Sequence, residues 1–427
     1  MNGPLQGIVT RRVLPLTLER MVDDPVVLLE GPRSVGKSTL LQAIADERGA
    51  RVLDLDDLAT CDAVAADPAT FVAGARTVCI DEYQKAPVVL DAIKAELNRG
   101  SRPGRFVLTG STRHDALPAA AQALTGRLSR LPIYALSQGE IAGVHEDLLA
   151  RLLSDPEDVV RALPESTTSR DEYIERIVGG GFPLALSAST PAARNRWVDN
   201  YVALTLERDV RELSRVRQGH LLGSLLVRLA GQTARVLNID RAARDVGLDK
   251  AATDNYVSLL EKVFLVRRLP AWGKTLTSRS SSSPKLHVLD SGVAARLLLL
   301  TPQKLAQLDP TVLTELGHLL ESFVVGELLK QVSWLDVAAG TGHWRTHDGD
   351  EVDLVIERDD GAIVAFEVKV GGRVQGKDVQ PLRKLRDAVG KPFLAGVALY
   401  LGQRSYTFEE RLHVMPVDRI WTPTGLI

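Results

Sequence analysis

The sequence predicts an α/β protein whose N-terminal part is built on a mostly parallel sheet. Short apolar runs alternate with stretches of helical periodicity between residues 26 and 136, which is the pattern of βαβ units. A glycine-rich turn separates the first apolar run from the first helical stretch. Two later runs end in the polar groups Asp81-Glu82 and Thr109-Gly110-Ser111, as strands do at the ligand crevice of a parallel sheet.

Pattern and length divide the chain of 427 residues into four segments. At roughly 100–200 residues per domain, this length suggests two to four domains. Residues 1–145 carry the alternating strands and helices, and residues 146–215 are mostly helical. The order of helix, short helix, turn, helix and strand in residues 216–284 predicts a winged helix-turn-helix. Residues 285–427 form a second α/β region.

The individual elements follow from the apolar runs and from the helical spacing between them. In the first segment we expect strands at residues 26–30, 51–55, 77–80, 105–109 and 131–136, and helices at 38–48, 87–99 and 115–128. In the last segment we expect helices at 311–331 and 375–389, and strands near 343–357, 362–370 and 393–400.

Composition and charge narrow the classes of function. The net charge is -2 with 25% charged residues, so the whole chain does not indicate a nucleic-acid partner, although a local basic patch would not show in this total. Two cysteines, Cys61 and Cys79, are too few for a disulfide framework or a zinc site. No apolar stretch approaches the ~20 residues of a membrane span, and no secretory leader is visible. We therefore expect a soluble, cytoplasmic protein.

The most specific motif is the turn after the first apolar run, which reads Gly31-Pro32-Arg33-Ser34-Val35-Gly36-Lys37-Ser38. It matches the P-loop pattern G-x-x-x-x-G-K-[ST] and lies between a strand and a helix, as that pattern requires. Backbone N–H groups and the helix N-terminus would surround the phosphates. Lys37 would reach the β- and γ-phosphates, and Ser38, followed by Thr39, would bind Mg²⁺. The motif therefore predicts ATP and Mg²⁺ as cofactors; the alternative is a chance match in a glycine-containing turn.

The strand that ends in Asp81-Glu82 predicts hydrolysis of the bound ATP. A buried strand that ends in two acids is costly unless the acids have a function. Asp81 would hold the magnesium ion through its water shell, and Glu82 would orient and activate the attacking water. The alternative is an exposed pair of acids at the end of a strand.

Hydroxyl groups and arginines provide further candidates around the phosphates. Thr109 and Ser111 would contact the γ-phosphate or the attacking water, unless they form an ordinary strand-ending turn. Arg127 would stabilise the charge of the transition state, in cis or across a subunit interface. Arg113 and Arg130 are its rivals, and a solvated arginine is the alternative.

The last segment contains a second set of residues with possible chemistry, Asp353 and, fourteen positions later, Glu367 with Lys369. Side chains alternate along a strand, so Glu367 and Lys369 share a face, and a hairpin would bring Asp353 beside them. Such carboxylates suit Mg²⁺ or Mn²⁺, and a lysine beside them can polarise a phosphodiester. Glu321, on a helix upstream, would complete the metal site, and Gln380 is a further candidate. The alternative is a solvated strand face.

A resemblance to a family of bacterial AAA-like ATPases rests on GPRSVGKST, VCIDEYQKAP, FVLTGSTR and LTGRLSRLPIYALSQGE. GGFP at residues 180–183 and YVALTLERD at 201–209 resemble the same family, whose members carry a C-terminal domain of unknown function. The resemblance implies the strand order of ATPases with an additional catalytic glutamate, here Glu82, and a helical segment and a winged helix behind the ATPase core. It also implies a homo-oligomer, since AAA-like relatives often form rings.

The last segment resembles the D…ExK core of restriction-endonuclease-like nucleases. This resemblance implies Asp353, Glu367 and Lys369 as the catalytic trio, while the fold alone does not establish that the site is active. The site would cleave nucleic acid, bind it, or serve as a scaffold.

Nucleic acid is one expected partner, although the predicted recognition helix at 250–262 offers Asn255 and few basic residues for base contacts. A packing role between domains is at least as well supported for this helix. Phosphate contacts would come from basic residues on either side of it: Arg211, Arg215 and Arg217, or Lys274, Arg279 and Lys285. The alternative is that these are scattered, solvated side chains.

Three functional hypotheses follow. In the first, the protein is an ATP-dependent machine acting on DNA or RNA, in which ATP turnover gates the nuclease-like site. In the second, it is a nucleotide switch: ATP changes how the chain binds a protein partner, and the C-terminal fold is catalytically silent. A transcription regulator working through the winged helix is a third hypothesis, against which the poor recognition helix argues.

Overall fold

Three β-sheets organise the protein. The computed structural model describes residues 5, 7–113, 124–161, 164–213, 219–273 and 283–423. Within them a five-stranded sheet is followed along the chain by a three-stranded and a six-stranded sheet. One continuous apolar core includes residues from all four segments predicted above, so the segments pack as parts of one body.

The first sheet is parallel throughout and has the order β2-β3-β4-β1-β5. Its strands are β1 (Val26–Glu30), β2 (Arg51–Asp54), β3 (Val78–Asp81), β4 (Phe106–Gly110) and β5 (Leu128–Pro132). Its helices are α1 (Val13–Asp23), α2 (Lys37–Arg48), α3 (Leu58–Ala66), α4 (Pro68–Val72), α5 (Val88–Arg99) and α6 (Gln138–Ala142). Strands β1, β3 and β4 are buried along their whole length, which explains their unbroken apolar runs.

The fifth strand begins earlier than the sequence predicts. We expected residues 131–136, but β5 ends at Pro132. The apolar residues that follow are a buried loop, in which the Ile133 N–H donates to the Glu30 carbonyl at 2.7 Å and the Leu136 N–H to the Gly181 carbonyl at 2.9 Å. An apolar run therefore marked burial here rather than a strand. The helix expected at 115–128 lies mostly outside the described residues, and its last residue belongs to β5.

Helices and a small sheet form the middle of the chain. The helical part contains α7 (Leu148–Ser154), α8 (Pro156–Arg161), α9 (Arg170–Gly179), α10 (Pro183–Leu186), α11 (Pro191–Leu204), a π-helical turn (Thr205–Asp209) and α12 (Val210–Leu213). The small sheet, with its helices, contains α13 (Leu222–Ala230), β6 (Arg235–Val236), α14 (Ile239–Val246), α15 (Lys250–Lys262), β7 (Val266–Leu269) and β8 (Lys285–Val288). Its strand order is β6-β8-β7, and both pairings are antiparallel.

Strand β8 corrects one expected boundary. We placed residues from 285 onward in the last segment, yet Lys285 pairs with Leu269 and Val288 pairs with Val266. The serine-rich stretch at residues 278–284 therefore lies, along the chain, between two paired strands of one small sheet.

The last sheet has the order β13-β14-β12-β11-β10-β9. Its region contains α16 (Ser291–Leu297), α17 (Pro302–Leu305), α18 (Pro310–Val332), β9 (Ala338–Arg345), β10 (Glu351–Arg358), β11 (Ile363–Lys369), α19 (Gln380–Val389), β12 (Phe393–Tyr400), β13 (Tyr406–Glu409) and β14 (Leu412–Pro416). Where we expected one strand near 343–357, a turn with Gly349 at φ +93° separates two antiparallel strands.

Helix α18 ties this last sheet to the first one. The Lys330 ammonium donates to the Leu136 carbonyl at 2.9 Å, and Glu327 accepts from the Gln138 N–H at 2.8 Å. At 23 residues it is a long helix, but among the described residues no helix has both the length and the apolar character that crossing a membrane requires.

Candidate functional site

The P-loop, residues 31–38, follows the carboxyl end of β1 and leads directly into α2. Two of its residues have left-handed backbone conformations, Ser34 with φ +61° and Gly36 with φ +90°. Gly31 lies so close to the residue after β5 that a Cβ atom would come within 1.9 Å of the Ile133 carbonyl oxygen. Glycine at position 31 thus lets the loop turn tightly at the sheet edge, beside a helix N-terminus that favours an anion.

Lys37 lies inside this loop. Its ammonium donates to the Gly31 and Pro32 carbonyls at 3.1 and 2.8 Å and lies 3.9 Å from Glu82 Oε1. Burial lowers the pKa of Lys37, while the Glu82 and Asp81 carboxylates act in the opposite direction. Binding β- and γ-phosphates would require the ammonium to exchange the loop carbonyls for phosphate oxygens.

The acid pair at the end of β3 is held by two hydroxyl groups, one from β4 and one from the residue that follows it. Thr109 Oγ1 donates to Asp81 Oδ1 and accepts from the Glu82 N–H at 3.1 Å. Ser111 Oγ donates to Glu82 Oε2 at 2.8 Å. We expected Thr109 and Ser111 to reach the phosphate or the attacking water, whereas in the structure they position the two carboxylates.

Glu82 itself has an unusual backbone, with φ +52°, a region that non-glycine residues seldom occupy. Gln84, which was not a sequence candidate, donates through Nε2 to Glu82 Oε2 and to Ser111 Oγ, the latter at 2.9 Å. These bonds hold a strained residue in one orientation, close to Lys37. The arrangement suits a carboxylate that must point in a defined direction.

The residues around α2 fit a magnesium ion bound together with ATP. Ser38 and Thr39 are exposed on the first turn of α2, and Asp81 lies at the end of the neighbouring β3. Hydroxyl and carboxylate oxygens are the ligands that Mg²⁺ prefers, and the ion keeps several waters, so few protein ligands suffice.

Two arginines tie the P-loop to distant parts of the chain. Arg33 Nε lies 2.8 and 2.9 Å from the two carboxylate oxygens of Asp209, which is 1% exposed in the π-helical turn. Arg11 donates to the Val35 carbonyl at 2.6 Å and to the Tyr134 carbonyl at 2.8 Å. Pro32 lines a small cavity together with Phe182 and other apolar side chains. The loop therefore contacts both the N-terminal stretch and the helical segment.

The structure places Arg127 far from the P-loop of the same chain. Arg127 precedes β5 and donates to Asn98 Oδ1 at 2.7 Å, whereas the P-loop follows the carboxyl end of β1, which runs parallel to β5. A five-residue strand is about 16 Å long, so Arg127 and the P-loop lie at opposite ends of these strands. Of its rivals, Arg130 pairs with Glu30, and Arg113 lies at the carboxyl end of β4 beside a cavity of about 270 Å³.

The predicted C-terminal trio does come together. Strands β10 and β11 pair with Leu354 opposite Phe366, which brings Asp353 beside Glu367. Lys369 donates to Glu367 Oε1 at 2.7 Å, and Asp353 Oδ2 accepts from the Val368 N–H at 2.9 Å. Burial and then Asp353 raise the pKa of Glu367 to about 8. An open cavity of about 350 Å³ adjoins Glu367 and is also lined by Gln380.

The carboxylates that we expected to bind a metal ion surround the ammonium group of a lysine. Lys285, on β8, places its ammonium 2.6 Å from Glu321 Oε1 and 2.9 Å from Asp353 Oδ1, and it also contacts Glu351. Among the described residues, no group of three or more His, Cys, Asp or Glu side chains is arranged to hold a metal ion. The expectation of a metal site at Glu321, Asp353 and Glu367 is therefore not met by this arrangement.

Lys285 also differs from its expected role in binding phosphate. It is fully buried, so it cannot contact a nucleic-acid backbone. Of the other residues we expected to do so, Arg215, Arg217, Lys274 and Arg279 and the Arg211 side chain lie outside the described residues. In α15, Asp254 and Glu261 pair with Arg268, and the Lys262 carbonyl accepts from the Arg113 N–H at 3.1 Å. The end of this helix thus contacts the first segment.

The GGFP stretch has a packing role that the sequence did not reveal. A Cβ on Gly180 would lie 2.3 Å from Asp290 Oδ1, and the Gly181 N–H donates to Asp290 Oδ2 at 2.8 Å. The Phe182 ring packs at a tilt against Trp197 and Tyr201, with ring centroids 5.3 and 4.6 Å away. The GGFP residues therefore pack the helical segment against the start of α16, next to the cavity that Pro32 and Phe182 line.

Family models match three parts of the chain. Residues 23–142 match a model described as an AAA domain, and residues 170–304 and 316–420 match two domains of unknown function, DUF8612 and DUF4143. Together with the motif and the parallel sheet, the first match identifies the N-terminal part as an AAA-like P-loop domain.

Two curated relatives are uncharacterized proteins of Mycobacterium bovis and Mycobacterium tuberculosis. Each is 25% identical over 405 residues, which cover 94% of this chain and 82% of the relative. Similar solved structures include a Walker-type ATPase of Pyrococcus abyssi, with 15% identity, a TM-score of 0.40 and coverage of 70% of this chain and 98% of that one. Another is AMPPCP-bound DnaA from Aquifex aeolicus, with 14% identity, a TM-score of 0.26 and coverage of 60% and 89%.

Proposed function

We propose that the protein is a Mg²⁺-dependent ATPase. The observation that carries this proposal is the buried acid pair, Asp81 and Glu82, held by Thr109 and Ser111 beside the P-loop lysine. Ser38 would bind the magnesium ion directly and Asp81 through water, and the ion would neutralise phosphate charge. Glu82 would orient the attacking water and accept its proton, because its carboxylate is fixed in direction and close to Lys37.

The test is Mg²⁺-dependent phosphate release by the wild-type protein, Lys37→Ala and Glu82→Gln. We expect Lys37→Ala to lose nucleotide binding, and Glu82→Gln to bind ATP but hydrolyse it about 10²–10⁴-fold more slowly. Turnover by Glu82→Gln at the wild-type rate would remove Glu82 from the reaction. Wild-type turnover no higher than that of Lys37→Ala would leave no support for hydrolysis.

For the use of this ATP, the geometry supports a nucleotide switch. Arg33 belongs to the P-loop, and its partner Asp209 belongs to the helical segment. Phosphates arriving in the loop would compete with Asp209 for the arginine, so nucleotide state would change how the helical segment is held. A protein partner that binds the helical segment or the small sheet would then sense ATP.

Action on nucleic acid is the second candidate. The proximity of Asp353, Glu367 and Lys369 supports a restriction-endonuclease-like fold, and the arrangement of α14, α15 and the small sheet supports a winged helix.

Addition of single- and double-stranded DNA to the ATPase assay discriminates between the nucleotide switch and the nucleic-acid machine. Stimulation of turnover would favour the nucleic-acid machine, whereas turnover that does not respond to DNA would favour the switch. Light scattering of the ATP-bound protein would test the homo-oligomer that the resemblance to AAA-like ATPases implies.

A further inference from the structure

The buried lysine of the small sheet gives the C-terminal carboxylates a different role from the one their pattern predicts. We propose that Lys285 permanently takes the place of the divalent cation in the nuclease-like cluster of Glu321, Glu351, Asp353 and Glu367, so that this site binds no metal and instead locks the small sheet to the last sheet. This inference concerns a site outside the ATPase centre and does not depend on ATP hydrolysis.

The ammonium is saturated by its surroundings. A lysine has three N–H donors, and the Lys285 ammonium contacts three carboxylates, those of Glu321, Glu351 and Asp353. The side chain is fully buried, so water does not compete for these bonds. Burial lowers the pKa of Lys285, but the three carboxylates outweigh burial and hold the pKa well above its ordinary value.

Strand pairing fixes the lysine in this position. Strand β8 is the central strand of the small sheet, with Lys285 opposite Leu269 on one side and Val236 on the other. The three carboxylates come from α18 and β10. The ammonium therefore reaches from the small sheet to α18 and to the last sheet.

Two of the other carboxylate oxygens beside Lys285 already accept hydrogen bonds from the protein. Asp353 Oδ2 is engaged by the Val368 N–H, and Glu367 Oε1 by Lys369. Glu367 Oε2 is buried without a hydrogen-bond partner, but a single oxygen beside two ammonium groups is a poor ligand set for Mg²⁺, which requires near-octahedral oxygen ligation.

The two nearby sheets are also joined next to the lysine, which is what a structural lock requires. The Trp272 N–H donates to the His343 carbonyl at 2.6 Å, and the His343 N–H donates to the Pro270 carbonyl at 2.9 Å. Trp272 Nε1 donates to Glu357 Oε2 at 2.8 Å. These bonds hold β9 and β10 against the residues after β7, beside the Lys285 cluster.

The experiment is titration of the nucleotide-free, full-length protein with Mn²⁺, followed by electron paramagnetic resonance of the free ion. We expect the wild type and Asp353→Asn to bind Mn²⁺ identically, because Asp353 is not available to the ion. We expect Lys285→Met to gain one Mn²⁺ site per chain, and the double variant Lys285→Met/Asp353→Asn to lose it.

Lys369→Met is the matched control, because it removes an equal charge from beside Glu367, a member of the same cluster, but leaves Lys285 in place; we expect it to gain no site. Circular dichroism shows whether Lys285→Met is folded, and Lys285→Gln is a second variant of the same position. If both variants fail to fold, the comparison of wild type with Asp353→Asn still decides. Wild-type Mn²⁺ binding that Asp353→Asn weakens by tenfold or more would overturn the proposal, as would a folded Lys285→Met that gains no site.

Discussion

Thr109 shows how one buried hydroxyl positions both acids of the proposed ATPase site. It donates to Asp81 and accepts from the Glu82 N–H, so Thr109→Val removes both bonds at nearly constant volume. The Glu82 N–H would be left buried without a partner, which costs about 1–3 kcal/mol. We expect the free energy of unfolding to fall by that amount in urea titrations, and kcat for ATP to fall by about 10–100-fold because Glu82 is misplaced.

Thr112→Val is the matched control for this prediction. Thr112 is also buried and lies three residues further on, but its hydroxyl has no hydrogen-bond partner. Removing it should leave kcat unchanged and leave stability unchanged or slightly higher, because an unsatisfied polar group is lost. Equal losses of kcat in the two variants would show that Thr109 acts through packing and not through its two bonds.

At this scale, the sequence predicted candidate residues where they belong to local motifs. Lys37, Asp81 and Glu82 lie in contiguous motifs that a strand and a turn bring to one sheet edge. Asp209 and Lys285 depend on contacts between residues 176 and 68 positions apart, and no local pattern encodes such pairings. For Asp209 the only available indication was its place in the YVALTLERD stretch, and Lys285 was expected to contact phosphate or, alternatively, solvent.

Between elements, the junction of α9 with α16 depends on glycine. Gly180 has φ +66°, and a Cβ there would lie 2.3 Å from Asp290 Oδ1. Gly180→Ala therefore combines backbone strain with a clash against a half-buried carboxylate, and we expect it to lower the free energy of unfolding by roughly 2–4 kcal/mol. Chemical denaturation followed by circular dichroism measures the loss.

Gly317→Ala is the control for this substitution. Gly317 lies within α18 with no atom within 4 Å of a built Cβ, so alanine there should stabilise the protein by roughly 0.5–1 kcal/mol through helix propensity. A Gly180→Ala variant as stable as the wild type would mean that the junction can open to admit a methyl group.

The elements themselves were predictable where burial and periodicity agree. Strands β1, β3 and β4 lie within one residue of their expected bounds because they are apolar on both faces and end at polar motifs. The bounds of β5 were wrong because the buried loop after it is equally apolar. Strand β8 was assigned to the wrong segment because pairing across the serine-rich stretch leaves no mark in the local sequence.

For the molecule as a whole, a buried histidine gives stability a definite dependence on pH. Burial, and then Lys285 and Arg267, lower the pKa of His287 well below 6.5, so the native state keeps this histidine neutral. The unfolded chain binds a proton below about pH 6.5, and stability from this group is therefore lost as the pH falls through that value. One such group contributes a slope of at most about 1.4 kcal/mol per pH unit.

His287→Asn isolates this contribution, since asparagine can keep a hydrogen bond to Ser322, the present partner of His287 Nδ1. Urea titrations between pH 7 and pH 5 give the free energy of unfolding of both proteins. As the pH falls, we expect any stability advantage of the wild type to shrink or to become an advantage of the variant. The difference is the useful quantity, because burial raises the pKa of Glu321 and Glu367, and these carboxyls change stability with the opposite sign. A difference that is constant over this range would show that His287 titrates normally.

The link between the P-loop and the helical segment leads to a prediction about the whole molecule. If ATP draws Arg33 away from Asp209, a non-hydrolysable ATP analogue should raise amide hydrogen exchange in residues 205–213 of the wild type, because the π-helical turn loses its anchor. Asp209→Asn should already exchange fast there without nucleotide and respond little to the analogue.

Asp199→Asn is the matched control, since Asp199 lies on the preceding helix and pairs with the surface residue Arg296 at 2.7 Å, away from the P-loop. This variant should respond as the wild type does. Exchange that is insensitive to the analogue in the wild type would separate the ATPase centre from the helical segment and count against the switch.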